Sequence, residues 1–423
     1  MKTMLFRHFI MALPIIGLAA CSSDDGPEQQ KNPEIVDVQE TEPTEDAAFY
    51  KIGLSPSEAG IQAAANDFAL DFFRQTKASA AESNVVVSPL STFQTLALLS
   101  NGDDGEIRDE IVNRLGFSSM NPDALNSYAK TLNEGFAKLD GKTRYRCANS
   151  IWVKGNDNLQ EGFAKTASDF YLADINSFEN MSEGIDSINS WVEKKTSRLI
   201  KDFLGKDSHF DGAIVNALYF KGGWQIPFEK EKTAKATFLN INGSSSNTDF
   251  MNSHDMFEYV KTEKIEAVGL SLGNGNFRLD LIRPADPKDY AQFIQSLDGS
   301  TTAELTRNMM LSHLDLSIPK FEVSTKTNGR DILYGMGFEK TVTSEFENIL
   351  DNGKLTVNNY IHAARLNVNE EGIEGASASA VTWIGSNGET PEYQTVEFNS
   401  PFIYILEEVT TGAILFIGEI TSF

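Results

Sequence analysis

The chain is short of the residue types on which most enzymatic chemistry depends. Among its 423 residues there are only five histidines and two cysteines. His8, His209, His254, His313 and His362 are scattered; none falls in an HExxH pattern, and no Cys/His group has zinc-ligand spacing. A GxSxG nucleophile elbow is missing, and the glycines around Gly273 and Gly275 do not complete a phosphate-cradling GxGxxG. These absences leave no local signature of an enzyme, and neither metal nor cofactor is expected. Basic charge is scarce too: 36 Lys and Arg stand against 60 Asp and Glu, a formal charge of −24. That balance argues against nucleic acid, whose binding needs clustered cations. The cysteines, Cys21 and Cys147, sit in unlike settings and build no disulfide framework; Cys147 reads as a small buried hydrophobe.

A long hydrophobic run is lacking as well. The apolar stretch Phe9 to Ala20, behind Lys2 and Arg7, is too short to cross a bilayer as a helix and fits a secretory signal over residues 1–20. Its end, Leu18-Ala19-Ala20-Cys21, resembles the bacterial lipobox, in which the cysteine is lipidated and becomes the new N-terminus. Ser22-Ser23-Asp24-Asp25 is similar to surface-export tags of bacterial lipoproteins. The resemblance implies a lipid-anchored, surface-exposed protein of the outer membrane. Residues 21–54, rich in Glu, Asp, Gln, Pro and Thr, read as a flexible acidic tether, and residues 55–423 as one domain.

Within that domain, Ser55-Pro56-Ser57-Glu58 has the order of a capping box ahead of Ile61, Ala65, Phe68 and Phe72. Ser88-Pro89 opens a second helix, and Ile188 to Leu204 reads as a third. Leu314, Leu316 and Ile318 alternate with polar residues, and Phe321 and Val323 resume the alternation. Phe402–Leu406 and Ile414–Ile420 read as a hairpin around Thr410-Thr411-Gly412. Helices early and strands late indicate an α+β fold.

One segment stands apart. Glu371 to Thr395, 25 residues, carries no clear native element, and loops of this length in a compact domain are usually functional or disordered. From Gly375 to Gly388 it has neither proline nor charge; Ala376 to Ala380 are small, and Val381, Thr382, Trp383 and Ile384 favour strands. A linker tolerates proline or charge anywhere, whereas a segment that must enter the middle of a sheet does not. The composition is that of a loop exposed at first and a strand later.

Six blocks of the sequence resemble the serpin family in order. They are Asn84 with Val87-Ser88-Pro89-Leu90-Ser91, then Ala148-Asn149-Ser150-Ile151-Trp152, then Val215 to Trp224 followed by Phe228. Ile318-Pro319-Lys320-Phe321, Val368-Asn369-Glu370-Glu371-Gly372 and Phe398-Asn399-Ser400-Pro401-Phe402 complete the series. The resemblance implies a serpin fold of three β-sheets with about eight or nine helices. It also implies a suicide-substrate inhibitor of endopeptidases that acts as a monomer, its cleaved loop entering the central sheet. The alternative is a non-inhibitory serpin-fold surface binding protein.

By the same resemblance Ser88, Ser91, Asn216 and His362 form a shutter beneath the parting strands, and Trp224, Lys320 and Glu370 a breach above them. Ala363 stands where the family often has lysine. Glu370, Gly372, Ile373, Gly375, Ala376 and Ala378 correspond to the hinge, with Ile373 in place of the usual Thr or Ser and Gly375 in place of Ala. Sixteen residues on from Glu370, the family spacing, the reactive bond falls at Ser386-Asn387. Cleavage after Trp383 suits a chymotrypsin-like protease, after Ile384 or Ser386 an elastase- or subtilisin-like one, and after Gly385 a papain-like cysteine protease. The lack of Lys and Arg between Glu370 and Phe398 argues against trypsin-like targets.

Overall fold

Local chemistry decides where the first helix begins. The Ser55 hydroxyl accepts from the Glu58 amide while the Glu58 carboxylate accepts from the Ser55 amide, and Pro56 follows as the first helical residue. The structure, a computed structural model, describes residues 48–423 except 82, 118–121, 140–142, 156–157, 211, 358–359 and 375–391, all within a unit spanning Pro43–Phe423. Lipidation at Cys21 and the hinge positions Gly375, Ala376 and Ala378 lie outside the described residues. So do Trp383, Ile384, Gly385, Ser386 and Asn387. The packed fold reaches back before Ser55: Ile52 is buried, its amide bonds Thr410 Oγ1, and Tyr50 exchanges two hydrogen bonds with the Asn276 side chain.

The first half alternates α1 (Pro56–Ser79), β1 (Val85–Val87), α2 (Pro89–Leu99), α3 (Glu106–Arg114) and α4 (Pro122–Phe136) with β2 (Arg144–Lys154), α5 (Glu161–Tyr171), β3 (Asp174–Phe178), α6 (Met181–Lys195) and β4 (Gly212–Gly223). Next come β5 (Ala234–Leu239), β6 (Ser245–Lys261), β7 (Ile265–Leu272), β8 (Phe277–Pro284), α7 (Tyr290–Ser296), α8 (Gly299–Asn308), β9 (Met310–Pro319) and β10 (Phe321–Asn328). The chain closes with α9 (Gly329–Gly335), α10 (Glu339–Thr343), β11 (Glu345–Phe346), β12 (Leu355–Thr356), β13 (Ile361–Asn369), β14 (Gly372–Ile373), β15 (Gln394–Glu397), β16 (Phe402–Glu408) and β17 (Ala413–Ile420). Ten α-helices among the described residues exceed the eight or nine expected, because α9 and α10 are too short to show a period.

Three sheets result among the described residues. A six-stranded sheet runs β10-β13-β14-β4-β2-β3, a larger one runs β1-β17-β16-β8-β7-β6-β9-β15 with β5 on β6, and β11 pairs with β12. The fold is α+β, as the sequence indicates. The third helix differs from its expected span of Ile188 to Leu204. It starts at Met181 behind an Asn180 cap and stops at Lys195, because Ser197 and Arg198 take left-handed backbone; Phe203 and Leu204 are buried from irregular chain. In the larger sheet β16 and β17 are buried along their whole lengths, which explains the apolar runs Phe402–Leu406 and Ala413–Gly418.

Candidate functional site

The six-stranded sheet is held open in its middle. Strands β13 and β4 are neighbours only through β14, two residues long, which pairs antiparallel with both: Val368↔Ile373 and Asn369↔Gly372 on one side, Gly372↔Gly223 and Ile373↔Gly222 on the other. The segment Glu371–Thr395 is therefore not free of structure. Its start already lies in the sheet with Ile373 fully buried, and its end, Gln394 and Thr395, belongs to β15, parallel to β9. A two-residue strand has no periodicity from which it can be read, which is why the sequence shows only a loop.

At the far end of β4 and β13 from β14 a small cavity is lined by Ser91, Asn216, Tyr360 and His362. Helix α2 positions the polar groups here. Ser88 precedes its first residue and donates its amide to His362 Nε2 at 3.1 Å, while Thr92 Oγ1 lies 3.4 Å from His362 Nδ1 and takes a hydrogen bond from Tyr360. Phe72 meets the imidazole edge-on. Burial pulls the His362 imidazole down to about 4, so it is neutral at pH 7. Ser91 Oγ donates to Asn216 Oδ1, and Asn216 Nδ2 donates to Asn149 Oδ1 at 2.6 Å and to Cys147 Sγ at 3.4 Å. The four residues assigned to the shutter thus fall into two bonded groups, Ser88 with His362 and Ser91 with Asn216, both based on α2. Cys147 is more than a hydrophobe: its thiol donates to Gln94 Oε1, and burial raises its pKa, which keeps it protonated.

Above β14 the chain is tied down by a second set. Trp224, buried, donates Nε1 to Asn369 O at 2.8 Å and its amide to Glu371 O. The Phe228 amide donates to Glu370 O. Lys320 Nζ lies 2.9 Å from Glu370 Oε2, and Thr233 Oγ1 donates to Glu370 Oε1 at 2.9 Å. Burial alone would raise the Glu370 carboxyl, but the bonds from Lys320 and Thr233 outweigh it and hold the group below its ordinary value. Lys230 pairs with Glu371 at 2.5 Å. Sequence reasoning gave no site role to Thr92, Asn149, Lys230, Thr233 and Tyr360, although Thr92 follows Ser91 directly, Asn149 lies in one of the six blocks and Tyr360 stands two residues before His362; Lys230 and Thr233 come from a segment with no local pattern.

The other stem of the loop is fixed by rings. Tyr393, next to β15, stacks on His254 of β6 with centroids 3.5 Å apart, and His313 of β9 approaches the same ring at 5.0 Å. Asp315 holds His254 through Nδ1 at 2.5 Å. No group of His, Cys, Asp and Glu among the described residues could hold a metal ion.

Sheet and stems together define a protein built around a central sheet in which β13 and β4 are joined through the two residues of β14, at the start of a long connection to β15. The chain belongs to the serpin family: the family model described as serpin (serine protease inhibitor) matches residues 63–423. A serine protease inhibitor of Cyanea capillata is 30% identical over 379 residues, covering 86% of this chain and 99% of the relative. Antichymotrypsin-2 of Bombyx mori is 27% identical, covering 79% and 91%. The native state of the thermophilic serpin Tengpin superposes with a TM-score of 0.77 at 26% identity, covering 89% of this chain and 97% of that one. The family is one of protease inhibitors in general, not of enzymes.

Proposed function

We propose that this serpin is an irreversible suicide-substrate inhibitor of endopeptidases. The observation that carries the reading is β14: the start of the loop is already hydrogen-bonded on both edges between β13 and β4. A cleaved loop has only to extend a strand that exists. Roughly 14 residues at about 3.3 Å each would carry an acylated protease about 45 Å. At about 1 kcal/mol net per ladder bond, insertion gains on the order of 10 kcal/mol, comparable to the stability of a whole domain and enough to distort a tethered enzyme.

The uncharged run from Gly375 to Gly388 and the absence of Lys and Arg favour chymotrypsin-, elastase- or subtilisin-like targets, with papain-like enzymes as a further class. The test is incubation with chymotrypsin, elastase, subtilisin and papain. A denaturant-resistant covalent complex with one of the serine proteases is expected; loop cleavage without complex across the whole panel would contradict the reading. Lipidation of Cys21 places the inhibitor on the outer membrane, in keeping with Leu18-Ala19-Ala20-Cys21. Cys21→Ala should release the protein from the membrane fraction with inhibition intact, and unchanged membrane association would contradict the anchor.

A further inference from the structure

Strand β14 stops after two residues, and beyond it no pairing between β13 and β4 occurs among the described residues. On one edge the ladder runs one step further: the Glu374 amide donates to Asn367 O at 3.0 Å, in register with Val368↔Ile373. On the other edge pairing ends at Ile373↔Gly222. The backbone of Glu374 accounts for the stop. Its φ is 63°, a left-handed conformation that cannot continue a strand and that only five non-glycine residues adopt among those described. L residues populate it roughly tenfold less readily than extended backbone, and glutamate lacks the short side chain that eases asparagine into it.

The side chain does not compensate. Among the described residues Glu374 Oε1 is buried without a hydrogen-bond partner. Burial raises the carboxyl above its ordinary value against the attraction of Arg365 and Lys221, and Glu322 repels it. Strain of this kind persists where the surroundings over-determine it, often at a functional hinge.

We propose that Glu374 is a positioning residue that parks the loop: its left-handed turn halts insertion at Ile373 in the uncut chain, and its return to extended backbone is the first step of insertion after cleavage. The proposal rests on the inhibitory reading and sharpens it. Insertion competes with hydrolysis of the acyl bond, so whatever sets the ease of leaving the turn sets the split between trapped and released protease.

The test exploits opposite signs. Glu374→Asn and Glu374→Gly suit a left-handed residue, with Asn the cleaner because it adds little chain freedom to the unfolded state. Glu374→Val disfavours it. With a protease that the parent traps, Asn and Gly should lower the ratio of complex to cleaved inhibitor about five- to tenfold, and Val should raise it. The melting temperature of the uncut protein should run the other way, Asn and Gly above the parent and Val below. Shifts of the same sign in all three variants would show that only the side chain matters and overturn the proposal. So would the expected melting order with an unchanged ratio. A parent that traps no protease sinks the inhibitory reading instead, and the turn is then judged by the melting order alone.

Discussion

His362 is kept neutral by burial against Phe72, Ser88 and Thr92, and this makes acid the enemy of the parted sheet. The unfolded histidine takes a proton near 6.5 and the folded one not until about 4, so the unfolded state binds more protons between those values. Stability should therefore fall as pH drops from 6.5 towards 4, by about 3 kcal/mol for this one group. Denaturant midpoints at pH 7 and 4.5 measure it; His362→Gln should remove that share of the loss, and an equal loss in the variant would contradict the assignment. Ile373 gives the second prediction at this scale. It is fully buried between two strands, so Ile373→Arg has to bury an unpaired cation or leave the sheet. Complex formation should drop at least tenfold while cleavage of the loop continues. A variant that traps as much protease as the parent would show that Ile373 is not where insertion begins.

Among the elements, β14 depends on one glycine. Gly372 has φ 144°, and a Cβ there would lie 2.1 Å from Gly222 O, a backbone atom of β4 that cannot yield. Gly372→Ala should eject the two-residue strand, and hydrogen exchange at the Ile373 and Glu374 amides should speed up tenfold or more; retained protection would contradict it. This element also marks the limit of what the sequence discloses. The Ser55–Glu58 capping box, the alternation in β9 and the largely apolar hairpin β16–β17 are local patterns and are legible. Lys320 and Glu370, grouped by family resemblance, do lie 2.9 Å apart. By contrast β14 has too few residues for a period, and no sequence pattern marks the left-handed backbone of Glu374. Thr233 and Lys230 reach Glu370 and Glu371 from a remote segment, so no spacing announces them. Helix α6 lies earlier than its apolar rhythm predicts, because buried Phe203 and Leu204 continue that rhythm from non-helical chain.

At the scale of the whole molecule, a second buried charge system opposes the first. Arg278 of β8 is shared by Asp280 at 2.7 Å, Glu407 of β16 at 2.9 Å and Glu258 of β6. One guanidinium cannot neutralise three carboxylates, and burial raises both Asp280 and Glu407. Groups raised in the folded state stabilise it below their unfolded pKa and lose that contribution as pH rises through the folded value. These two groups should thus cost the fold stability as pH rises from the ordinary carboxylate range to about 8, a span that overlaps the one in which His362 costs it on acidification. In a melting series from pH 4 to 10, Glu407→Gln should flatten the loss between about pH 5 and 8; an unaltered loss would contradict this origin. All of this surrounds a sheet proposed to be one strand short of its most stable form. An ordinary protein nicked in a loop melts at the same temperature or lower. Here cleavage near Ser386 should free the segment after Ile373 to fill the space between β13 and β4. The direct measurement is a thermal melt of intact and loop-cleaved protein in one buffer. A gain on the order of 10 kcal/mol would raise the midpoint by tens of degrees or out of range, whereas equal midpoints would contradict insertion for this protein.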